Sequence, residues 1–150
     1  MSEAACIRRA VPADIPALLG LLQLLFSIEK DFVFDADKQE RGLRLLLAEK
    51  RAAVMVAEQD RQVVGMCSGQ LLLSTAQGGL SALVEDVAVL PAWQGKGIGR
   101  LLLATISEWA VSQGASRVQL LADRNNAPAL AFYQKTDFQT TAMICLRKMI

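Results

Sequence analysis

The chain has no histidine. That removes the base of Ser-His-Asp and Cys-His systems and the commonest ligand of a catalytic zinc ion, so no metal is expected. Proton transfer must fall to carboxylates, tyrosine, lysine, cysteine or water. Tyrosine is nearly absent too: Tyr133 is the single phenol among 150 residues. The three cysteines, Cys6, Cys67 and Cys145, are odd in number with no close pair, and read as reduced core thiols of a cytoplasmic protein. Net charge is only +1, and no basic tail or stripe argues for nucleic acid. Apolar runs are short and interrupted, so none spans a membrane, and Met1-Ser2-Glu3 carries no signal peptide. What is plentiful is hydrophobic side chain, 53% of the chain, enough for one domain over residues 1–150 with a real core.

Glycine is concentrated where it matters. Val87-Ala88-Val89 reads as the end of a buried strand, and Leu90-Pro91-Ala92 breaks it. Gln94-Gly95-Lys96-Gly97-Ile98-Gly99-Arg100 then packs three glycines into seven positions. Ile98, Leu101, Leu102, Ile106 and Trp109 share one helical face, and Gln113-Gly114 ends that helix. The first N–H groups of a helix lack internal partners and carry partial positive charge. Glycine lets the backbone approach an anion, and Lys96 and Arg100 add full charges, so a phosphate or pyrophosphate is the expected guest. A dinucleotide fingerprint would need glycine where Arg100 stands, and a P-loop would need Ser or Thr where Gly97 stands.

In chain order, residues 6–11 read as a strand. Asp14 is a candidate N-cap for an apolar helix through Ile15, Leu18, Leu19, Leu22, Leu25 and Phe26. Loop 27–36 mixes acids with Phe32 and Phe34, and a second helix spans about 37–50. Strands follow at 53–59 and, after a tight turn at Asp60-Arg61, at 62–74, where Gly65 and Gly69 suggest bulges or close approach. Loop 75–81 leads to a strand from about 82 to 90. A further strand at 117–122, a short helix around 128–135 and a final strand region at 138–150, bent near Thr140-Thr141, complete the order β-α-α-β-β-β-α-β-α-β. This is one α+β domain, a sheet with helices on its faces.

Two motifs carry a family resemblance. Gln94, Gly97 and Gly99 match Gln/Arg-x-x-Gly-x-Gly/Ala after a Val-Ala-Val strand, and Asn126, Ala129, Phe132, Tyr133 and Phe138 match an Asn…Ala…Phe-Tyr…Phe pattern. Together they resemble the GCN5-related N-acetyltransferase (GNAT) superfamily over most of the chain, least before Ala53. Asp137 departs from the glycine usual before the last phenylalanine, and aspartate tolerates the left-handed conformation that glycine would supply there. The resemblance implies a mixed, mostly antiparallel sheet of about six or seven strands flanked by helices. It implies acetyl-CoA as cosubstrate, held by Val87, Ala88, Val89, the loop Gln94, Gly95, Lys96, Gly97, Ile98, Gly99 and Arg100, and by Asn126 and Tyr133.

It also implies that Tyr133 protonates the leaving thiolate; the plainer alternative is a core aromatic. Asn126 binds coenzyme A, caps the short helix, or does both. Glu85 and Asp86 sit in an apolar strand, where a carboxylate is costly unless paired or wet. Alternation puts Glu85 on the face of Val87 and Val89, so Glu85 is the expected base, with Asp86 on the substrate side or a structural ion pair as the alternative. The expected activity is direct transfer of an acetyl group to a primary amine of a small molecule or peptide. The rival is a non-catalytic acyl-CoA-binding sensor or subunit. By resemblance the loop carrying Phe32 and Phe34 helps form the acceptor site, the plainer alternative being that both rings pack on the core, and Glu29, Asp31 and Asp35 hint at a cationic acceptor. A homodimer is left open.

Overall fold

The structure is a computed structural model and describes residues 4–150; Met1-Ser2-Glu3, read above for a signal peptide, lie outside them. The elements are β1 (Cys6–Arg9), α1 (Ile15–Ile28), α2 (Ala36–Ala48), β2 (Ala52–Gln59), β3 (Gln62–Ser74), β4 (Gly79–Val89), α3 (Ile98–Ser112), β5 (Ala115–Leu120) and α4 (Ala127–Lys135). They form one sheet in the order β1-β2-β3-β4-β5, antiparallel except for the parallel β4–β5 pair. Asp60 and Arg61 both take positive φ, +50° and +65°, the mirror-image turn whose twist suits a tight hairpin.

Each face of the sheet is covered by the helical stripe that its sequence presents. Leu18, Leu21, Leu22 and Leu43 of α1 and α2 pack on Val54, Val56 and Met66. Leu102 and Ile106 of α3 pack on Val64, Cys67 and Val84 from the other side. Full burial of each such side chain contributes about 1.5–3 kcal/mol. The glycines of β3 set how closely α3 lies. A methyl group at Gly69 would stand 2.9 Å from Ile106 Cγ1, and one at Gly65 would stand 3.1 Å from Leu102 Cδ1.

Several expectations need correction. The sheet has five strands among the described residues, not six or seven. Residues 139–150 form no strand, although Thr141 Oγ1 does accept from Met143 N near the expected bend. A strand exists by its ladder, and no neighbour among the described residues pairs with this segment. The thiols are not all in the core: Cys67 is buried, but Cys6 and Cys145 are exposed. Asp14 does not cap α1. Its own backbone is helical, its carboxylate accepts from Val11 N at 2.8 Å, and it takes two bonds from Arg8, at 2.8 and 2.9 Å.

The site is made by a divergence in the sheet. β5 pairs with β4 only as far as Val84 opposite Leu120. β4 continues to Val89, while the chain after Leu120 turns towards α4. From Glu85 onward, therefore, β4 has no β5 partner, and the two strands part into a wedge.

Candidate active site

A cavity of about 130 Å³ opens at that wedge. Its walls are Val87, Ala88 and Val89 of β4, Gln94 of the loop, Asn126, Ala129 and Tyr133 around α4, residues 121–123 after β5, and Leu24, Leu25, Ile28 and Glu29 at the end of α1. Six residues chosen from the sequence thus meet: Val87, Ala88, Val89, Gln94, Asn126 and Tyr133.

The loop has the backbone that its glycines predicted. Gly95 and Gly97 take φ of +74° and +83°, and Gly97 is the N-cap of α3. Leu101 N bonds to Gly97 O at 3.1 Å, so the first-turn amides before Leu101 are left to bind something else. Gln94 Nε2 donates to Val89 O at 2.9 Å and ties loop to strand. Lys96 lies over the Trp93 ring at 4.7 Å, and Arg100 donates to Lys135 O at 3.3 Å; both are exposed. Ile98 has its side chain in the core, leaving only its backbone to a ligand. Gly99 has a packing reason: a methyl group there would stand 2.9 Å from Phe132 Cζ of α4.

Tyr133 is positioned by the end of its helix. Asn126 caps α4, accepting from Ala129 N at 3.1 Å. At the other end Phe138 N bonds to Tyr133 O at 3.0 Å and Asp137 N to Gln134 O at 3.3 Å, with Asp137 at φ +69°. This is the double hydrogen-bonded helix stop that glycine usually serves, kept here by aspartate. Phe138 then packs edge-on against Tyr133, centroids 6.0 Å apart. Among the described residues no protein group bonds the Tyr133 hydroxyl, which belongs to a side chain lining the cavity. Burial, with smaller contributions from Glu29 and Cys67, pushes the phenol up to about 12.

The carboxylates fall out differently from simple alternation. Ser68 of β3 faces Glu85 while Met66 faces Ala88, so Asp86 and Val87 together oppose Cys67 alone. This is a β-bulge, with Asp86 at φ +56°. Glu85 is exposed and Asp86 partly buried. Burial first, then the charges of Glu85 and Glu29, push the Asp86 carboxyl up to about 6, against an opposing bond from Ser68. Glu29 is raised as well, by burial and by Asp123, Glu85 and Asp31. Of the three acids noted in the first loop, only Glu29 lines the cavity. Asp35 caps α2 through Lys38 N at 3.2 Å, and Asp31 pairs with Arg147 at 3.2 Å. Phe34 packs on the α1–α2 core. Phe32 stacks on Phe26, centroids 5.4 Å apart, under the Arg147 guanidinium at 4.9 Å. Neither phenylalanine lines the cavity.

An α+β sheet that parts beside a glycine loop and a helix N-terminus makes a wedge with an anion-binding end. Residues 20–138 match the acetyltransferase (GNAT) family, and the chain belongs to it. It is 29% identical to the aminoglycoside N(6')-acetyltransferase type 1 of Stenotrophomonas maltophilia, over 99% of this chain and 95% of that one. It is 25% identical to the aminoalkylphosphonate N-acetyltransferase of Salmonella typhimurium, over 89% and 84%. Among solved structures, a putative acetyltransferase from Agrobacterium tumefaciens superposes with a TM-score of 0.82 at 26% identity, covering 95% of this chain and 99% of that one. The aminoglycoside N-acetyltransferase AAC(6')-Iy in complex with CoA superposes with a TM-score of 0.87, covering 99% and 96%; at 17% identity that likeness concerns the fold. No helix among the described residues is long and apolar enough to cross a membrane.

Proposed function

We propose that the protein transfers an acetyl group from acetyl-CoA to the primary amine of a small cationic molecule, by direct attack in a reducing, cytoplasmic setting. The observation that carries this reading is the Tyr133 hydroxyl, without a partner among the described residues, on a side chain that lines the same cavity as Val87–Val89. A core tyrosine would have its hydroxyl bonded by backbone. A module that only bound coenzyme A would need the loop but not this phenol.

Coenzyme A fits the residues present. The free amides around Gly97–Arg100 suit its pyrophosphate, with Lys96 and Arg100 close by. The unpaired edge of β4 offers backbone N–H groups to polarise a carbonyl. Bound there, the cosubstrate supplies an activated acyl group and a thiolate leaving group. Tyr133 would donate its proton to that sulfur. Glu29 would hold a cationic acceptor at the mouth. Asp86 would take the amine's proton, directly or through water, because a carboxyl titrating at about 6 remains a usable base near neutrality. Glu85, the choice favoured by alternation, would act through its charge, which helps raise both neighbours. Two relatives are named for acetylating aminoglycosides and aminoalkylphosphonates, and either class supplies a primary amine.

The test is thiol release from acetyl-CoA with a panel of amines that includes both classes, for the native protein and Tyr133→Phe. Turnover with at least one amine is expected. The variant should lose about 10²-fold or less in kcat, because a thiolate already leaves readily, with little change in the KM for acetyl-CoA. Tight coenzyme A binding without turnover of any amine would favour the non-catalytic reading. Full kcat with a lowered melting temperature would make Tyr133 a core residue.

A further inference from the structure

One buried hydroxyl lies at the root of the bulge in β4. Residues 64–69 of β3 are all buried, and Ser68, 1% exposed, is the single polar side chain with a hydroxyl, amide or charge among them. A hydroxyl withdrawn from water is costly unless it is bonded. Ser68 Oγ donates to Glu85 O, but at 3.3 Å, long for an O–H···O bond. One stretched bond to a backbone carbonyl is a weak reason for serine in a place that alanine would fill.

A stronger reason lies one residue along β4. Ser68 stands opposite Glu85 where the register slips, and the bulge that follows brings Asp86 within reach of the same hydroxyl. The other groups around Asp86 do not serve it. Glu85 on its own strand and Glu29 at the end of α1 are carboxylates, which repel its charge. Cys67 of β3 turns its S–H the other way, to Leu102 O of α3 at 3.6 Å. Asp123, after β5, and Tyr133 of α4 interact with Glu29. A serine hydroxyl carries one proton and rotates to suit its acceptor. It can serve the Glu85 carbonyl or the Asp86 carboxylate in turn.

We propose that Ser68 is a positioning residue for the base Asp86: its proton turns to the carboxylate while Asp86 is ionised, and back to the Glu85 carbonyl when Asp86 takes the amine's proton. In the second state the protonated carboxyl donates to Ser68 Oγ. Each hydroxyl proton thus has an acceptor in both states, and the only proton gained is the one the amine loses. The inference rests on Asp86 being the base. Ser68 is buried and touches no substrate. It acts by holding the carboxylate in place and by favouring its charged form against Glu85, Glu29 and burial.

Ser68→Ala tests this. Losing a hydrogen bond to a charged group should raise the Asp86 midpoint by about one pH unit. That midpoint is read without substrate, by NMR, from the carboxyl carbon resonance that Asp86→Asn removes. The acidic limb of the kcat–pH profile should move up equally, so that kcat falls about fivefold at pH 6 and recovers on the alkaline side, with the KM for acetyl-CoA unchanged. Ser68→Cys, close in volume and a weaker donor, should shift both readings in the same direction by less. If the alanine variant melts below the assay temperature, both readings are taken on Ser68→Cys. An unmoved Asp86 midpoint in a folded variant would overturn the proposal and leave Asp86 as the base. A midpoint that moves while the acidic limb stays in place would overturn Asp86 as the base, and the proposal with it.

Discussion

Asp14 and Asp86 are two aspartates withdrawn from water, and the chain treats them in opposite ways. Around Asp14 both carboxylate oxygens are answered: Arg8 gives two hydrogen bonds, Val11 N a third, and Arg8 also holds Glu58 at 2.7 Å. The guanidinium holds the Asp14 carboxyl below the usual carboxylate range. Around Asp86 no cation among the described residues answers. Its neighbours are Glu85 and Glu29, its backbone is left-handed, and burial leads the upward shift to about 6. A buried carboxylate bonded at both oxygens ties β1 to the start of α1. One left short of donors beside an open wedge is a candidate for chemistry.

The first way to break this comparison is Asp86→Asn. If Asp86 is the base, kcat should fall about 10²–10³-fold, and the acidic limb of the pH–rate profile near 6 should flatten. Folding should be no weaker at neutral pH, because the variant removes a charge that burial disfavours. For native Asp86, the folded chain holds its proton to higher pH than the unfolded chain. Its contribution to stability therefore falls as pH rises from the ordinary aspartate range to about 6. A large loss of melting temperature with kcat unchanged would move Asp86 into the structural class.

Asp14→Asn should do the reverse. Removing one partner of a largely buried pair should cost about 2 kcal/mol, towards the low side because Arg8 remains one-third exposed, with kcat unaffected. The native pair's contribution is present above the usual carboxylate range and is lost as pH falls towards the lowered value. Chemical denaturation at pH 7 and pH 3 should show the difference between native and variant shrink at the lower pH.

The smallest expected effect sharpens the contrast. Glu85→Gln keeps the bulge and removes one charge beside Asp86. It should move the acidic limb of the pH–rate profile to lower pH by a fraction of a unit, with less than a tenfold change in kcat at neutrality. A loss as large as that of Asp86→Asn would return the base to Glu85.

Much of this was legible before any coordinates, because local rules and tertiary structure agree. The glycine loop, the α3 stripe, the Asp60-Arg61 hairpin and the Asn126 cap each follow from short-range geometry that nothing distant overrides. Asp137 belongs with them, since its left-handed φ is set by the helix end that it closes. The bulge at Asp86 was not legible: alternation reads one strand, and a bulge is a property of two strands in register. Glu29 was visible only as part of an acidic loop; the end point of α1 decides that it, and not Asp31 or Asp35, reaches the cavity. Gly99 read as an anion-loop residue, while its contact with Phe132 needed α4 to be placed first. Residues 138–150 had the composition of a strand, and composition cannot say whether a neighbour is there to pair with.

The glycines of β3 have a reach beyond their own contacts. Gly69 meets Ile106, on the same helix as Gly99, and Gly99 meets the ring of Phe132, next to Tyr133. Helix α3 is thus a stiff spacer gauged at its N-terminus and at its middle by missing methyl groups. A single added carbon at Gly69 would tilt or lift that spacer against the sheet. The error would be delivered at the anion loop and at the phenol, neither of which the altered residue touches. Mutational tolerance in this protein should accordingly follow contact with α3 more closely than distance from the cavity.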